Sequence, residues 1–192
     1  MKKLFLISTA VLGLTVVNSR TNAQFISGGG AHSLAVCSDN TARAWGYNDY
    51  GQLGNGTSTA NNVPIPVSAL TSVTAIDGEV WHSLALKNDS TVWAWGRNMY
   101  GELGNGTTTN SNVPVQVSSL TGITAIVGGF MHSLALKNDG TVWAWGYNIY
   151  GQLGNGTNTT SNVPMQVSTL TGVIAIAGGG YGHCLALKND GT

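Results

Sequence analysis

From Gln24 onward, apolar positions fall in short runs broken by polar and glycine-rich turns, and the runs recur every 50 residues. In HSLALKNDGTVWAWG (132–146), Leu134 and Leu136 share one face of a first segment, and Trp143 and Trp145 one face of a second. That alternation predicts two β-strands. Asn138-Asp139-Gly140 between them predicts a hairpin, because glycine accepts the positive φ the turn requires. Asn40 and Ser90 hold the Gly140 place in the earlier copies, asparagine more comfortably than serine. The runs ITAIVGG before the hairpin and VPVQV after it supply two more strands, and no amphipathic helical pattern interrupts them.

The period is regular. His32, His82, His132 and His183 are spaced 50, 50 and 51 apart, and 37 of 50 positions are identical between 74–123 and 124–173. Four short strands per repeat of this length predict the blades of a β-propeller. The Ala/Ile/Gly strand is expected innermost, where sheets crowd the axis. Both faces of each sheet are then covered by neighbouring blades, which accounts for the recurring Trp and Leu without a ligand. The expected blocks are 24–73, 74–123, 124–173 and a partial 174–192.

Residues 1–23 read differently. Lys2 and Lys3 precede an apolar run from Leu4 to Val17, followed by Thr21-Asn22-Ala23, the pattern of a cleaved secretory signal. Cleavage after Ala23 and a secreted or periplasmic protein are the expectation. The run is shorter than the ~20 residues of a membrane helix, and no second one follows. Loss of Lys2, Lys3 and Arg20 leaves five basic residues against eight acidic, a net charge near −3. Arg43, Lys87, Arg97, Lys137 and Lys188 are scattered singly, which argues against nucleic-acid binding. Cys37 and Cys184 come from non-adjacent repeats and different slots, which counts against a bridge between them.

GGFMHSLALKNDGTVWAWGYNIYGQLGNGT (128–157) resembles the repeat of the regulator of chromosome condensation family, in its small-Gly-Gly-x-x-His-Ser-Leu-Ala-Leu and Trp-Gly-x-Asn-x-x-Gly-Gln-Leu-Gly portions. The resemblance implies an all-β fold, a seven-bladed propeller type, of which three full repeats and a partial fourth form an incomplete ring. It departs at Asp77-Gly78-Glu79, in the longer Gly178–His183 stretch, and at Asn189-Asp190-Gly191-Thr192, where the sequence stops inside a turn. A piece of a longer protein is the expectation, with two copies completing one ring as the other reading. Nuclear members of the family exchange nucleotide on a small GTPase. A secreted branch, the propeller-type β-lactamase inhibitors, is similar in repeat wording.

The histidines invite a metal or acid–base reading, but they fall one per blade with no recurrent carboxylate or thiol beside them, so a structural role is expected. GQLGNGT lacks the spacing of a phosphate loop. No cofactor, metal or catalytic residue is expected. Positions that differ between repeats are the better guide to a partner: Glu79, Trp81, Phe130, Met131 and Tyr181 before the histidines, and Arg97, Met99 and Tyr147 after the Trp strand. The expected function is a secreted, non-enzymatic scaffold binding a protein through one rim. The alternatives are nucleotide-exchange activity, enzyme inhibition, or a histidine-based lyase or hydrolase.

Overall fold

Each repeat folds as the alternation predicts, into one antiparallel sheet whose strands follow in chain order. The computed structural model describes residues 23–178 and 182–192. The expected signal segment lies outside them except for Ala23, which opens the first strand. The first sheet contains β1 (Ala23–Gly28), β2 (His32–Cys37), β3 (Ala42–Gly46) and β4 (Asn61–Pro66). The second contains β5 (Val73–Gly78), β6 (His82–Lys87), β7 (Val92–Gly96) and β8 (Ser111–Gln116). The third contains β9 (Ile123–Gly128), β10 (His132–Lys137), β11 (Val142–Gly146) and β12 (Ser161–Gln166). A two-stranded start of a fourth, β13 (Val173–Gly178) and β14 (Cys184–Lys188), ends the arc. The Ala/Ile/Gly strands β1, β5, β9 and β13 pack successively against one another, which makes them the inner strands. This is an incomplete propeller ring.

The core lies between sheets rather than within one. Leu34 and Val36 of the first sheet meet Ile76, Ala85 and Trp95 of the second. Leu84 and Leu86 of the second meet Ala135 and Trp145 of the third. Leu134 and Leu136 of the third meet Ile176, Cys184 and Ala186. Each blade thus turns a leucine face to the next blade and an Ala/Trp face to the previous one. Full burial of a leucine contributes roughly 1.5–3 kcal/mol, so these junctions hold the arc together. On β14 the matching leucines, Leu185 and Leu187, are exposed.

The hairpin turns follow the sequence expectation, with φ of 60°, 62° and 78° at Asn40, Ser90 and Gly140. Register places His32 opposite Gly46, His82 opposite Gly96 and His132 opposite Gly146. The turn before each histidine and the long loop after each Trp strand therefore emerge at one end of the blades, here the histidine rim. The tight hairpins form the opposite rim. No disulfide joins Cys37 to Cys184. No helix among the described residues is long and apolar enough to cross a membrane.

Candidate protein-interaction rim

The loops of the histidine rim are held by bonds that cross from blade to blade. The carbonyl of Gln52 accepts from Ser83 Oγ at 2.9 Å and from Trp95 Nε1 at 2.8 Å, both on the second blade. One repeat later the Glu102 carbonyl accepts from Ser133 Oγ and Trp145 Nε1, at 2.9 and 2.7 Å. Because Ser83 spends its proton on Gln52, its oxygen accepts from His32 Nε2 at 2.8 Å. His82 meets Ser133 in the same way at 2.9 Å, and His132 Nε2 meets Cys184 Sγ at 2.9 Å. Burial holds these imidazoles neutral, with His32 and His132 lowered to about 4 and His82 to about 3. His32, His82 and His132 are junction pieces, as their one-per-blade spacing implied. Among the described residues no group of three or more His, Cys, Asp or Glu could hold a metal.

Within each long loop an asparagine forms the centre. Asn98 Oδ1 accepts from Leu103 N at 2.9 Å, while its Nδ2 reaches the carbonyls of Thr107 and Thr109 at 3.1 and 3.0 Å. Asn48 and Asn148 repeat the arrangement. This fixed loop presents its tyrosines outward. The next blade's outer strand supports it from behind, where Asn112 Nδ2 donates to the Gly56 carbonyl and Asn162 Nδ2 to that of Gly106.

The tyrosines, one tryptophan and one arginine form a row across three blades. Trp81 packs edge-on against Tyr47 and Tyr50, with ring centroids 5.8 and 5.6 Å apart. The Arg97 guanidinium lies over Tyr50 at 6.0 Å and Tyr100 at 5.2 Å. Tyr100 then meets Tyr147 at 4.7 Å, and Tyr147 meets Tyr150 at 6.3 Å. Exposed Met99, Ile149 and Tyr150 border the row, with Tyr150 81% exposed. Rigid aromatics and arginine that lose little entropy on contact are what protein–protein hot spots are built from.

Two of the differences between repeats prove to be one. Tyr47 with Gln52, and Tyr147 with Gln152, become Arg97 with Glu102. Arg97 Nη1 lies 3.4 Å from Glu102 Oε1, and Glu102 is only 1% exposed. The other carboxylate oxygen accepts from Tyr100 N at 2.7 Å, as Gln52 Oε1 does from Tyr50 N at 3.0 Å. The carboxamide Nε2 of Gln52 is buried without a partner. Glutamate removes that orphan donor, and the arginine neutralises the charge that replaces it.

Toward the axis, Asp77 and Glu79 form a second departure. Asp77 Oδ1 accepts from Ser27 Oγ at 2.9 Å on the first blade, and Oδ2 from Gly128 N at 3.0 Å on the third. The Glu79 carbonyl accepts from Gly30 N at 3.2 Å, while its side chain lies over Gly128, where any Cβ would collide with it. Burial, then the adjacent Asp77, push the Glu79 carboxyl up to about 9. Burial also raises Asp77. At neutral pH the pair therefore retains a proton.

Of the residues expected to meet a partner, Trp81, Arg97 and Tyr147 fall in the aromatic row, with Met99 exposed at its border. Glu79 stands apart, in the inner acid pair. Phe130 and Met131 are half-buried in the turn before His132. Tyr181 lies outside the described residues. Tyr47, Tyr50, Tyr100 and Tyr150 complete the row without being among the expected partner positions. The signal for three of them is a tyrosine that recurs in every long loop (Tyr50, Tyr100, Tyr150), a constancy that differences between repeats do not show.

The repeat of the regulator of chromosome condensation (RCC1) matches residues 44–86, 89–136 and 139–187, and a second form of the same repeat matches 24–52 and 123–152. The chain belongs to the RCC1 repeat family. Among solved structures it is similar to Prp20p of Saccharomyces cerevisiae (TM-score 0.75, 21% identity, 88% of this chain and 45% of that one), described with its binding properties to Gsp1p and histones. Human WBSCR16 gives a TM-score of 0.78 at 25% identity, over 90% of this chain and 47% of that one. Yeast RCC1 (Prp20) with Kap60 bound gives 0.74 at 21% identity, over 88% and 43%. These likenesses establish the fold, and the chain spans less than half the length of each of these relatives. No curated protein sequence matches significantly. The expected secreted or periplasmic location is corrected by the yeast RCC1-repeat structures, which are nuclear and cytoplasmic proteins. An apolar N-terminal run was too general a signal to carry that assignment.

Proposed function

We propose that this RCC1-repeat chain is a non-enzymatic scaffold that binds a protein partner through its histidine rim. The observation that carries the reading is the unbroken row Trp81, Tyr47, Tyr50, Arg97, Tyr100, Tyr147 and Tyr150, mounted on loops that interblade hydrogen bonds hold rigid. Rigid loops keep the ordering cost of association low, which leaves more of the contact energy as affinity. The deciding experiment is affinity capture with the full chain beside Trp81→Ala and Tyr147→Ala. A partner retained by the parent and lost by both folded variants supports the rim; equal retention by all three refutes it.

A second reading, nucleotide exchange on a small GTPase, is supported by the fold shared with Prp20p, whose binding to Gsp1p has been described. Stoichiometric chain added to Gsp1p loaded with a fluorescent GDP analogue is the test. Faster nucleotide release supports it, and an unchanged release rate rules it out.

A further inference from the structure

We propose that the partner of this rim is a basic protein segment, held by its lysine or arginine side chains over the tyrosine row and beside Asp49. This deepens the rim-binding reading above and rests on it. The starting point is how charge divides between the two ends of the blades. At the hairpin rim each lysine has a carboxylate in its own turn. Lys87 lies 3.7 Å from Asp89, Lys137 3.4 Å from Asp139 and Lys188 2.8 Å from Asp190, while Asp39 feels Arg43. That end is balanced.

The histidine rim is not. It carries Asp49, Asp77, Glu79 and Glu102, and among the described residues its one cation is Arg97, already committed to Glu102. Even with one proton retained by the Asp77–Glu79 pair, the acidic excess remains. Nucleic acid, a polyanion, is disfavoured there, and a polycation is drawn to it.

Arg97 also shows how such a cation is received. Its guanidinium lies over Tyr50 and Tyr100 at the junction of the first two blades. One repeat later Tyr147 occupies the position of Arg97. Among the described residues no cation of the chain lies over Tyr147 or Tyr150, although these rings continue the row and Tyr150 is the most exposed of them. An incoming lysine or arginine would complete there the contact that Arg97 makes internally, since a ring face attracts a cation through its quadrupole. A second cation fits at the other end of the row. Asp49 is exposed there and accepts from Tyr47 Oη through Oδ2 at 2.7 Å, and Tyr47 packs on Trp81. The exposed Met99 and Ile149 between these points suit the aliphatic stems of long basic side chains.

The probes are three 12-residue peptides, alternating Lys-Leu, Gln-Leu and Glu-Leu, titrated against the full chain by fluorescence anisotropy. The Lys-Leu peptide should bind at least tenfold tighter than the Gln-Leu peptide and weaken as salt rises from about 50 to 300 mM. Asp49→Asn should weaken it about threefold and Tyr150→Ala about three- to tenfold. Both positions are exposed, so neither change opens the core. Equal or tighter binding of the Glu-Leu or Gln-Leu peptide overturns the basic-segment proposal. If that binding still falls in Tyr150→Ala, the rim reading survives without it. Binding of any peptide that neither variant alters overturns both.

Discussion

Replacing Arg97 with alanine removes the counterion of a carboxylate that water cannot reach. Glu102 is 1% exposed and Arg97 9%, and their charged atoms are 3.4 Å apart. At an effective dielectric constant of ~20, two charges at this distance attract by about 5 kcal/mol, and breaking a buried pair on one side typically costs about 3–5 kcal/mol. Glu102 has an escape, because burial already pushes its carboxyl upward and protonation removes the stranded charge. We expect Arg97→Ala to lose about 3 kcal/mol at pH 7.5 and distinctly less at pH 5. Arg97→Tyr combined with Glu102→Gln restores the wording of the flanking blades and should fall within about 1 kcal/mol of the parent. Urea unfolding followed by tryptophan fluorescence, on the two single variants (Arg97→Tyr and Glu102→Gln) and the double, gives the coupling energy. A coupling below about 0.5 kcal/mol, or an Arg97→Ala loss independent of pH, would refute the account of these positions as one compensated substitution.

The histidines make acid destabilising. The unfolded chain takes up protons near pH 6.5, whereas folded His32 and His132 wait until about 4 and His82 until about 3, so stability should fall from about pH 6.5 to pH 4. Each histidine contributes roughly 1.4 kcal/mol per pH unit in that window, and thermal unfolding of His82→Gln should show a shallower decline. Glu79 acts in the opposite direction. Its folded pKa of about 9 lies above the unfolded 4.5, so stability is lost as pH rises between those values. From pH 7 to 9, clear of the histidines, melting of Glu79→Gln should change less than that of the parent; parallel curves would contradict the assignment. Ser90 holds φ of 62° without the freedom of the Gly140 it replaces, so Ser90→Gly should add about 1 kcal/mol in chemical denaturation.

The fold was readable because its core alternates with period two. Leu84 and Leu86 point to one neighbour and Ala85 to the other, and a strand pattern is all that needs recognising. The structural role of the histidines was also readable, from their spacing and the lack of carboxylates beside them. Their partner was not, since Ser83 is 51 residues from His32 and only blade stacking brings them together. Only part of the aromatic row shows in the differences between repeats. Tyr50, Tyr100 and Tyr150 are constant, and continuity across blades is a property of the assembled arc. Arg97 differs from Tyr47 and Tyr147, and Glu102 from Gln52 and Gln152, as two separate variations along the chain. Five positions apart in a loop, nothing local announces that one neutralises the other.

The bonds donated by Trp95 and Ser83 to Gln52, and by Trp145 and Ser133 to Glu102, all point the same way along the chain. Every acceptor belongs to the blade synthesised earlier. As a polypeptide leaves the ribosome N-terminus first, each finished blade therefore offers a fixed template to the next, and no blade waits on one still to be translated for these contacts. The same polarity sets the order of disassembly. Removing a later blade leaves these carbonyls, and the histidine that met the lost serine, at an edge that solvent can reach, whereas removing an earlier one deprives a buried indole and a hydroxyl of their acceptor. Unravelling should accordingly proceed from the C-terminal end, and hydrogen exchange read blade by blade would show that gradient.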